Sequence, residues 1–281
     1  LTVCGSLQVA GGHGKIAFEL LNVHGIPSTV IDPRPLKLQR CLRMWGQGLW
    51  HKTGSKVHAD ALPPVRGQSE PALMPQHLRL FLEESLWQQG STDTSDEGGV
   101  LAEAQDSWPD EQRRAFSRNL WRSSRVEWGS QGLSDTGHGE EEEAEAKAEA
   151  EATEPDALVA RQRLEAEEHG AASLHPAYVE KEWAKTCELL SSASVAIGMH
   201  PDQAAGALVQ FALDRGLPFA VVPCCVYSAE FPKRKLKDGR RVKSYEDLCD
   251  YLQEQAPGIE RVVLPGLEGR NVCLFRIAPS K

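Results

Sequence analysis

The stretch that decides the fold runs from residue 7 to residue 14 and reads Leu-Gln-Val-Ala-Gly-Gly-His-Gly. It begins as a short apolar run of the kind found in buried strands, and glycine then occupies three of the last four positions. Residues 15–24 place apolar side chains at helical spacing, and Gly25 followed by Pro27 ends that helix. The segment therefore predicts a strand, a glycine-rich loop and a helix.

The same order of elements occurs twice in the chain. Residues 28–31 predict a second strand, which ends at Asp32. Residues 194–199 predict another strand, a helix follows Pro201, and residues 219–222 predict the next strand. HGIPSTVIDP at 24–33 and RGLPFAVVPC at 215–224 share one helix-stop, proline and strand pattern. Two βαβ units with parallel strands, right-handed crossovers and helices on both sheet faces follow.

The end of the chain has a different pattern. Residues 245–255 predict a helix, and residues 261–264 and 271–277 predict two strands. The connection 265–270 is too short for a crossover helix, so these two strands should pair antiparallel. The predicted fold class is α/β, with a doubly wound, mostly parallel sheet that closes in a C-terminal antiparallel hairpin.

A long polar insertion is expected to interrupt this fold. We assign residues 1–65 and 173–281 to a split α/β domain and residues 66–172 to the insertion, with helices predicted at 77–88 and 110–122. Within the insertion, 137–168 is expected to be a solvated helix or a disordered spacer. Residues 140–168 carry twelve acidic and three basic side chains, which accounts for the whole net charge of −9.

Composition limits the class of protein. Hydrophobic residues make up 41% of the 281 residues, which suits a globular core, and no apolar run reaches the roughly 20 residues of a membrane span. Seven cysteines without a Cys-x-x-Cys pair argue against a disulfide framework and against a metal site. We expect a reducing intracellular compartment, with cytoplasm, nucleus and organelle left open. Because the chain starts at Leu1, we also expect an N-terminal segment to be missing.

The glycine loop and the acid after the second strand favour nucleoside binding. Glycines at a helix N-terminus let a ligand approach free backbone N–H groups, and Asp32 follows Gly14 by 18 residues, where a carboxylate can accept ribose hydroxyls. Neither the phosphate-binding P-loop pattern nor the dinucleotide fingerprint is present. The alternative is a tight turn with Asp32 as a cap, and we favour the nucleoside.

Residues 8–14 together with Val30-Ile31-Asp32 resemble the first two motifs of class I S-adenosylmethionine-dependent methyltransferases. The resemblance implies a Rossmann-like fold and S-adenosylmethionine as cofactor, with Asp32 at its ribose. It assigns the methionine end to Gln8, Ala10, Gly11, Gly12 and Gly14. Gln8 stands where the family has an acid, and Ala10 stands where it has a first glycine. Residues 57–63 faintly resemble the family's third motif.

Two further motifs are similar to a subgroup of putative RNA methyltransferases that includes a tRNA 2′-O-methyltransferase. They are His200-Pro201-Asp202 after the fourth strand and Cys224-Cys225 after the fifth. The resemblance implies that His200 and Asp202 face the methyl acceptor and remove its proton. A helix cap and a first-turn acid are the structural alternatives for these two residues. The two cysteines border the acceptor, or serve as small packing residues.

A basic run follows the cysteine pair. Residues 233–243 carry seven bases and one acid, and Lys233, Arg234 and Lys235 lie nearest to the presumed acceptor pocket. Such a run can neutralise several phosphates of an RNA, and Phe231 beside it could stack on a base. The alternative is a solvated loop, or an internal partner for the acidic run.

The preferred function is therefore methyl transfer from S-adenosylmethionine, with RNA as the expected acceptor. A catalytically inactive methyltransferase-like binding module is the alternative, and Gln8 together with the faint third motif favours it. A nicotinamide-dependent oxidoreductase would need a dinucleotide fingerprint, which the glycine loop does not have.

Overall fold

The strands of the α/β core form one seven-stranded sheet. A computed structural model describes residues 5–52, 65–67, 69–87, 108–128 and 157–277. Their spatial order is β3-β2-β1-β4-β5-β7-β6. The strands are β1 (Gly5–Val9), β2 (Ser28–Ile31), β3 (Gln76–Leu78), β4 (Ala193–Met199), β5 (Phe219–Val222), β6 (Glu260–Val263) and β7 (Val272–Arg276).

Strand directions confirm the predicted fold class. β1, β2, β3, β4 and β5 pair parallel, and β7 pairs antiparallel with both β5 and β6. The antiparallel hairpin therefore closes a mostly parallel sheet, as the short 265–270 connection predicts. This order, with β7 inserted between β5 and β6, is typical of class I methyltransferase topology.

Some helices pack on the strands of the sheet, and others pack on neighbouring helices. Their bounds are α1 (Lys15–Asn22), α2 (Gln39–Gly46), α3 (Leu49–Lys52), α4 (Asp110–Ser124), α5 (Ala157–Ala172), α6 (Pro176–Ser191), α7 (Ala205–Asp214) and α8 (Tyr245–Gln253). Single 3₁₀ turns at Glu84–Leu86 and Asp202–Ala204 complete the regular structure. In the described parts of the chain, no helix has the length and apolar character that crossing a membrane requires.

The helix predicted at 77–88 is wrong over its described part. Residues 76–78 are the edge strand β3, and Leu78, Leu80 and Leu82 are all buried while the residues between them are partly exposed. This alternation has the period of two that an extended chain needs. The leucines at 78, 82 and 86 also fit a helical spacing of four, which is why the sequence pattern indicated a helix.

Much of the described 66–172 segment contributes to the α/β core. The helix predicted at 110–122 is confirmed as α4, and its Phe116 is fully buried in the same cluster as Leu7 of β1 and Leu208 of α7. Residues 157–168 of the acidic run belong to α5, so this part takes the helical alternative rather than the disordered one. Residues 137–156 and 57–63 lie outside the described residues.

Candidate functional site

The glycine loop between β1 and α1 requires its glycines for two reasons. Gly12 and Gly14 have positive φ angles of 55° and 82°, which glycine adopts at little cost. Gly11 is needed for space, because an added Cβ would lie 2.8 Å from both Gln8 Cδ and Val30 Cγ1. Ala10 has a φ of 49°, a left-handed conformation that is uncommon outside glycine. The backbone of this loop is held close to the sheet edge.

Gln8 supports the loop from below. Its side chain is 2% exposed, and its Oε1 accepts a hydrogen bond from the backbone N–H of Ala17 at 3.0 Å. Gly14 provides no side-chain cap for α1, so Gln8 satisfies one of the N–H groups left unpaired in the first turn. Gln8 therefore fastens α1 to β1.

Asp32 points into the glycine loop and is completely buried. Its Oδ2 accepts from Gly12 N at 2.8 Å and from Arg34 Nη2 at 3.0 Å. Its Oδ1 accepts from the backbone N and the Nε of Arg34, at 2.8 and 3.0 Å. Burial lowers the pKa of the Arg34 guanidinium. The hydrogen bond to Asp32 and the charges of Asp32 and Asp202 raise this pKa by more, so the net direction is upward.

Trp128 covers this ion pair from outside the loop. Its ring centroid lies 4.6 Å from Arg34 Cζ and 4.8 Å from Lys37 Nζ, and it meets the His13 ring edge-on at 4.3 Å. The indole Nε1 donates to Pro35 O at 2.7 Å, which fixes the ring. Sequence analysis missed both Arg34 and Trp128. An Asp-x-Arg turn signals Arg34, whereas no spacing rule signals a tryptophan 94 positions further along.

His200 and Asp202 lie together where β4 ends. Both adopt positive φ angles, 52° and 49°, and such backbone strain in non-glycine residues clusters at functional sites. His200 Nε2 lies 3.1 Å from Arg270 O, and Asp202 Oδ2 lies 4.0 Å from Arg34 Nη2. The Asp202–Arg34 distance places the end of β4 close to the Asp32–Arg34 ion pair after β2.

The cysteine pair after β5 contacts Asp202. Cys224 Sγ donates to Asp202 Oδ1 at 3.5 Å, and one ligand atom each from Asp202, Cys224 and Cys225 lies within 4.8 Å of the other two. This trio could hold a thiophilic cation only with the cysteines as thiolates, and the adjacent Cys224-Cys225 pair has no Cys-x-x-Cys spacing. A hydrogen bond to Cys225, burial and the charge of Asp202 raise the pKa of the Cys224 thiol. Burial and the charge of Asp202 likewise raise the pKa of Tyr227. These groups therefore stay protonated around the carboxylate.

The basic run divides into one half-buried cation and an exposed remainder. Arg234 stacks on Phe231, with Cζ 3.5 Å from the ring centroid, and an added Cβ at Gly206 would lie 3.1 Å from Arg234 Nη2. Burial lowers the pKa of Arg234, and among the described residues no carboxylate lies within ion-pair distance. Lys233 and Lys235 are exposed at the cleft rim.

One cleft of about 1870 Å³ connects these parts. Its lining includes Gly11 and Gly12 of the glycine loop together with Arg34, Trp128, His200, Asp202 and Arg234. In open α/β sheets ligands bind at the carboxyl ends of the strands, and this cleft lies at that edge. Most of the residues that the sequence assigned to cofactor and to acceptor line this cleft. The predicted site residues that are not part of its lining are Gly14, Asp32, Cys224 and Cys225.

Comparison with known proteins finds no protein-family model, no curated protein and no solved structure that matches this chain. The order and direction of the strands therefore provide the classification. The sheet has a Rossmann-like α/β architecture of the kind seen in class I methyltransferases, and this fold is compatible with binding a nucleotide or S-adenosylmethionine.

Proposed function

We propose that this chain is an S-adenosylmethionine-dependent methyltransferase whose acceptor is RNA. The observation that carries the proposal is a buried acid at the end of β2 that is hydrogen-bonded to the glycine loop after β1, within a sheet of order 3-2-1-4-5-7-6. The loop offers close backbone approach at a helix N-terminus, and the acid offers a ribose partner.

The glycine loop and Asp32 fit S-adenosylmethionine on the condition that the Arg34 side chain moves. The glycine loop and Asp32 have the required placement, but the guanidinium of Arg34 now holds the carboxylate and has to move aside for a ribose. Gly11, Gly12 and Gly14 would hold the methionine end, above the platform that Gln8 and Ala10 form. S-adenosylmethionine supplies a methyl group on a sulfonium, which an aligned nucleophile can displace in line.

His200 is the candidate base on the acceptor side. A carbonyl oxygen only accepts hydrogen bonds, so the ring nitrogen facing Arg270 O, Nε2, carries the proton. In the neutral imidazole this leaves the lone pair of Nδ1 to take a proton from an acceptor hydroxyl. Asp202 beside it bears negative charge near that position and orients its neighbours Cys224 and Arg34.

Arg234 supports an anionic acceptor. A half-buried guanidinium without a carboxylate partner in the described chain costs desolvation energy that a phosphate group would offset. Its stacking on Phe231 holds the flat group toward the cleft, and Lys233 and Lys235 extend positive charge along the rim. An RNA backbone meets this requirement better than a neutral small molecule does.

The test of the reaction is transfer of a tritiated methyl group from S-adenosylmethionine to total RNA and to total protein. We expect label in RNA, and loss of that label for Asp32→Ala after the variant is shown to be folded by its thermal transition. Label in protein alone would contradict the RNA acceptor. An absence of label in both fractions would contradict the enzyme.

The test of the acceptor site is RNA binding measured at several salt concentrations. Arg234→Gln should weaken binding of a short single-stranded RNA and lower the salt slope by about one. Arg240→Gln is the matched control, since Arg240 is exposed and bonded to Asp238 and Asp247. Equal loss in both variants would mean that only overall charge matters and that Arg234 has no special role.

A catalytically inactive binding module is the second candidate, and one observation favours it. Asp32 is fully hydrogen-bonded within the protein itself, which a permanently structural carboxylate would also show. Calorimetric titration separates the two: heat with S-adenosylmethionine or its demethylated product supports the enzyme, whereas no heat with either supports the module.

A further inference from the structure

The carboxylate of Asp32 has no free acceptor position. An ionised carboxylate offers about four lone-pair sites. Here four donors fill them: the backbone N–H of Gly12, the backbone N–H of Arg34, and the Nε and Nη2 of Arg34. The two backbone bonds belong to the loop and the turn. The two side-chain bonds therefore occupy the sites that two ribose hydroxyls would need.

A second carboxylate lies within reach of the same guanidinium. Asp202 Oδ2 is 4.0 Å from Arg34 Nη2, and the Asp202 side chain is 33% exposed while that of Asp32 is 0% exposed. Asp202 Oδ1 accepts from Cys224, so the oxygen nearest to Arg34 is the other one. A small rotation of the guanidinium thus exchanges one carboxylate partner for the other without returning the charge to water.

Trp128 provides a surface along which the guanidinium can make this movement. The indole lies against the guanidinium of Arg34 at 4.6 Å, and it is held in place by its own bond to Pro35 O. A cation–π contact is electrostatic and has little preference for the rotation of the guanidinium over the ring. The contact with Trp128 therefore persists while the hydrogen bonds of Arg34 change.

We infer that Arg34 changes its carboxylate partner from Asp32 to Asp202 when a ribose diol binds to Asp32. The inference rests on the proposed function, because it requires a nucleoside ligand at Asp32. It assigns Arg34 a positioning role that links the two ends of the cleft: the acceptor-side carboxylate gains its cation when the nucleoside is bound. By linkage, pairing of Arg34 with Asp202 strengthens nucleoside binding to the same extent.

The experiment is calorimetric titration of S-adenosylhomocysteine into the wild type, Arg34→Ala, Asp202→Asn and the double variant. Arg34→Ala should bind about tenfold more tightly, since the competitor for Asp32 is gone. Asp202→Asn should bind about threefold more weakly, since the alternative partner is gone. In the Arg34→Ala background, Asp202→Asn should have no effect.

Four outcomes overturn the inference. Weaker or unchanged binding by Arg34→Ala would mean that the arginine does not compete with the ligand. Equal weakening by Asp202→Asn in both backgrounds would mean that Asp202 contacts the ligand directly. Absence of binding by every variant would remove the proposed function as well, whereas equal binding by every variant would remove only the partner exchange.

Two further variants provide a substitute for Arg34→Ala and a matched control. Arg34→Gln keeps much of the side-chain length and removes the charge, so it should bind more tightly than the wild type if Arg34→Ala does not fold. Arg240→Ala removes the arginine of the other Asp-x-Arg turn, whose carboxylate lies outside the cleft. It should leave the affinity for S-adenosylhomocysteine unchanged, and a shift equal to that of Arg34→Ala would overturn the inference.

Discussion

Two turns of this protein share one hydrogen-bond pattern and differ in backbone conformation and surroundings, since Gly239 has a φ of 89° and Pro33 cannot adopt a positive φ. Asp32-Pro33-Arg34 follows β2, and Asp238-Gly239-Arg240 lies inside the isolated antiparallel bridge between Lys235 and Arg241. In each, the aspartate accepts from the arginine backbone N–H, at 2.8 and 2.9 Å, and from the arginine Nε, at 3.0 and 2.7 Å. Local sequence alone builds both turns.

The difference lies in contacts from distant parts of the chain. Asp32 is 0% exposed and also accepts from Gly12, and Trp128 covers its arginine. Asp238 is 53% exposed, and hydrogen bonds from Arg240 lower the pKa of its carboxyl group in open solvent. The same hydrogen-bond pattern therefore places its arginine in the cleft lining in one turn and in an exposed loop in the other. Burial and long-range partners separate the two roles.

The largest difference should appear when each aspartate is removed. Asp32→Ala leaves the Gly12 N–H without its acceptor and Arg34 without its main partner, and we expect a loss of about 2–4 kcal/mol in the free energy of unfolding. Asp202 lies 4.0 Å from Arg34 and remains as a nearby carboxylate, so the loss stays below that expected for a buried charge without any partner. Asp238→Ala should have a much smaller effect, because its ion pair with Arg240 is exposed to solvent. Urea denaturation of both variants makes the comparison, and equal midpoints would contradict it.

An intermediate difference should follow exchange of each arginine for lysine. Lysine retains the charge but cannot make the paired Nε and Nη2 bonds that Arg34 makes to Asp32. We expect Arg34→Lys to lower the free energy of unfolding by about 1–2 kcal/mol, because one buried charge-assisted bond is lost. Arg240→Lys, in an exposed turn, should match the wild type in the same urea series. A larger effect at Arg240 would mean that burial does not set the strength of these pairs.

The fold could be predicted because its signals are local. Apolar runs, glycine stops and the short 265–270 connection locate six of the seven strands and the antiparallel end. The seventh, β3, was missed because leucines at 78, 80, 82 and 86 fit two periods at once. Packing against β2, which pairs with it in parallel, selects the extended form. Only tertiary contacts distinguish the two readings.

The site was predictable to the extent that its residues follow strands. The glycine loop, Asp32, His200, Asp202 and the cysteine pair all lie at the carboxyl edge, as their positions after strands require. The surroundings of the Asp32–Arg34 pair were not predictable, because Gly12 and Trp128, which contact the pair, lie far from it in the sequence. Contacts between residues 34 and 128 leave no periodic pattern in the sequence.

The smallest difference concerns pH, and it distinguishes the surroundings of the two turns. His77 Nε2 contacts Asp32 O at 3.0 Å, and burial lowers the pKa of His77 below its usual 6.5. The folded state favours the neutral imidazole ring. The contribution of His77 to the stability of the fold is therefore complete above pH 6.5 and declines as the pH falls below that value. The exposed turn contributes to stability through the ionised carboxylate of Asp238. Because the pKa of Asp238 is lowered, this stability is lost only below pH 3.8.

Stability measured from pH 7 to pH 4 should therefore fall more in the wild type than in His77→Gln. We expect a difference below about 1 kcal/mol, because His77 is half-buried and solvent screens its charge. Asp238→Asn should follow the wild type in this window and depart from it below pH 4. If His77→Gln loses as much stability as the wild type between pH 6.5 and 4, the acid sensitivity arises away from the buried turn. The two turns would then differ in ligand access and burial, and not in their response to protons.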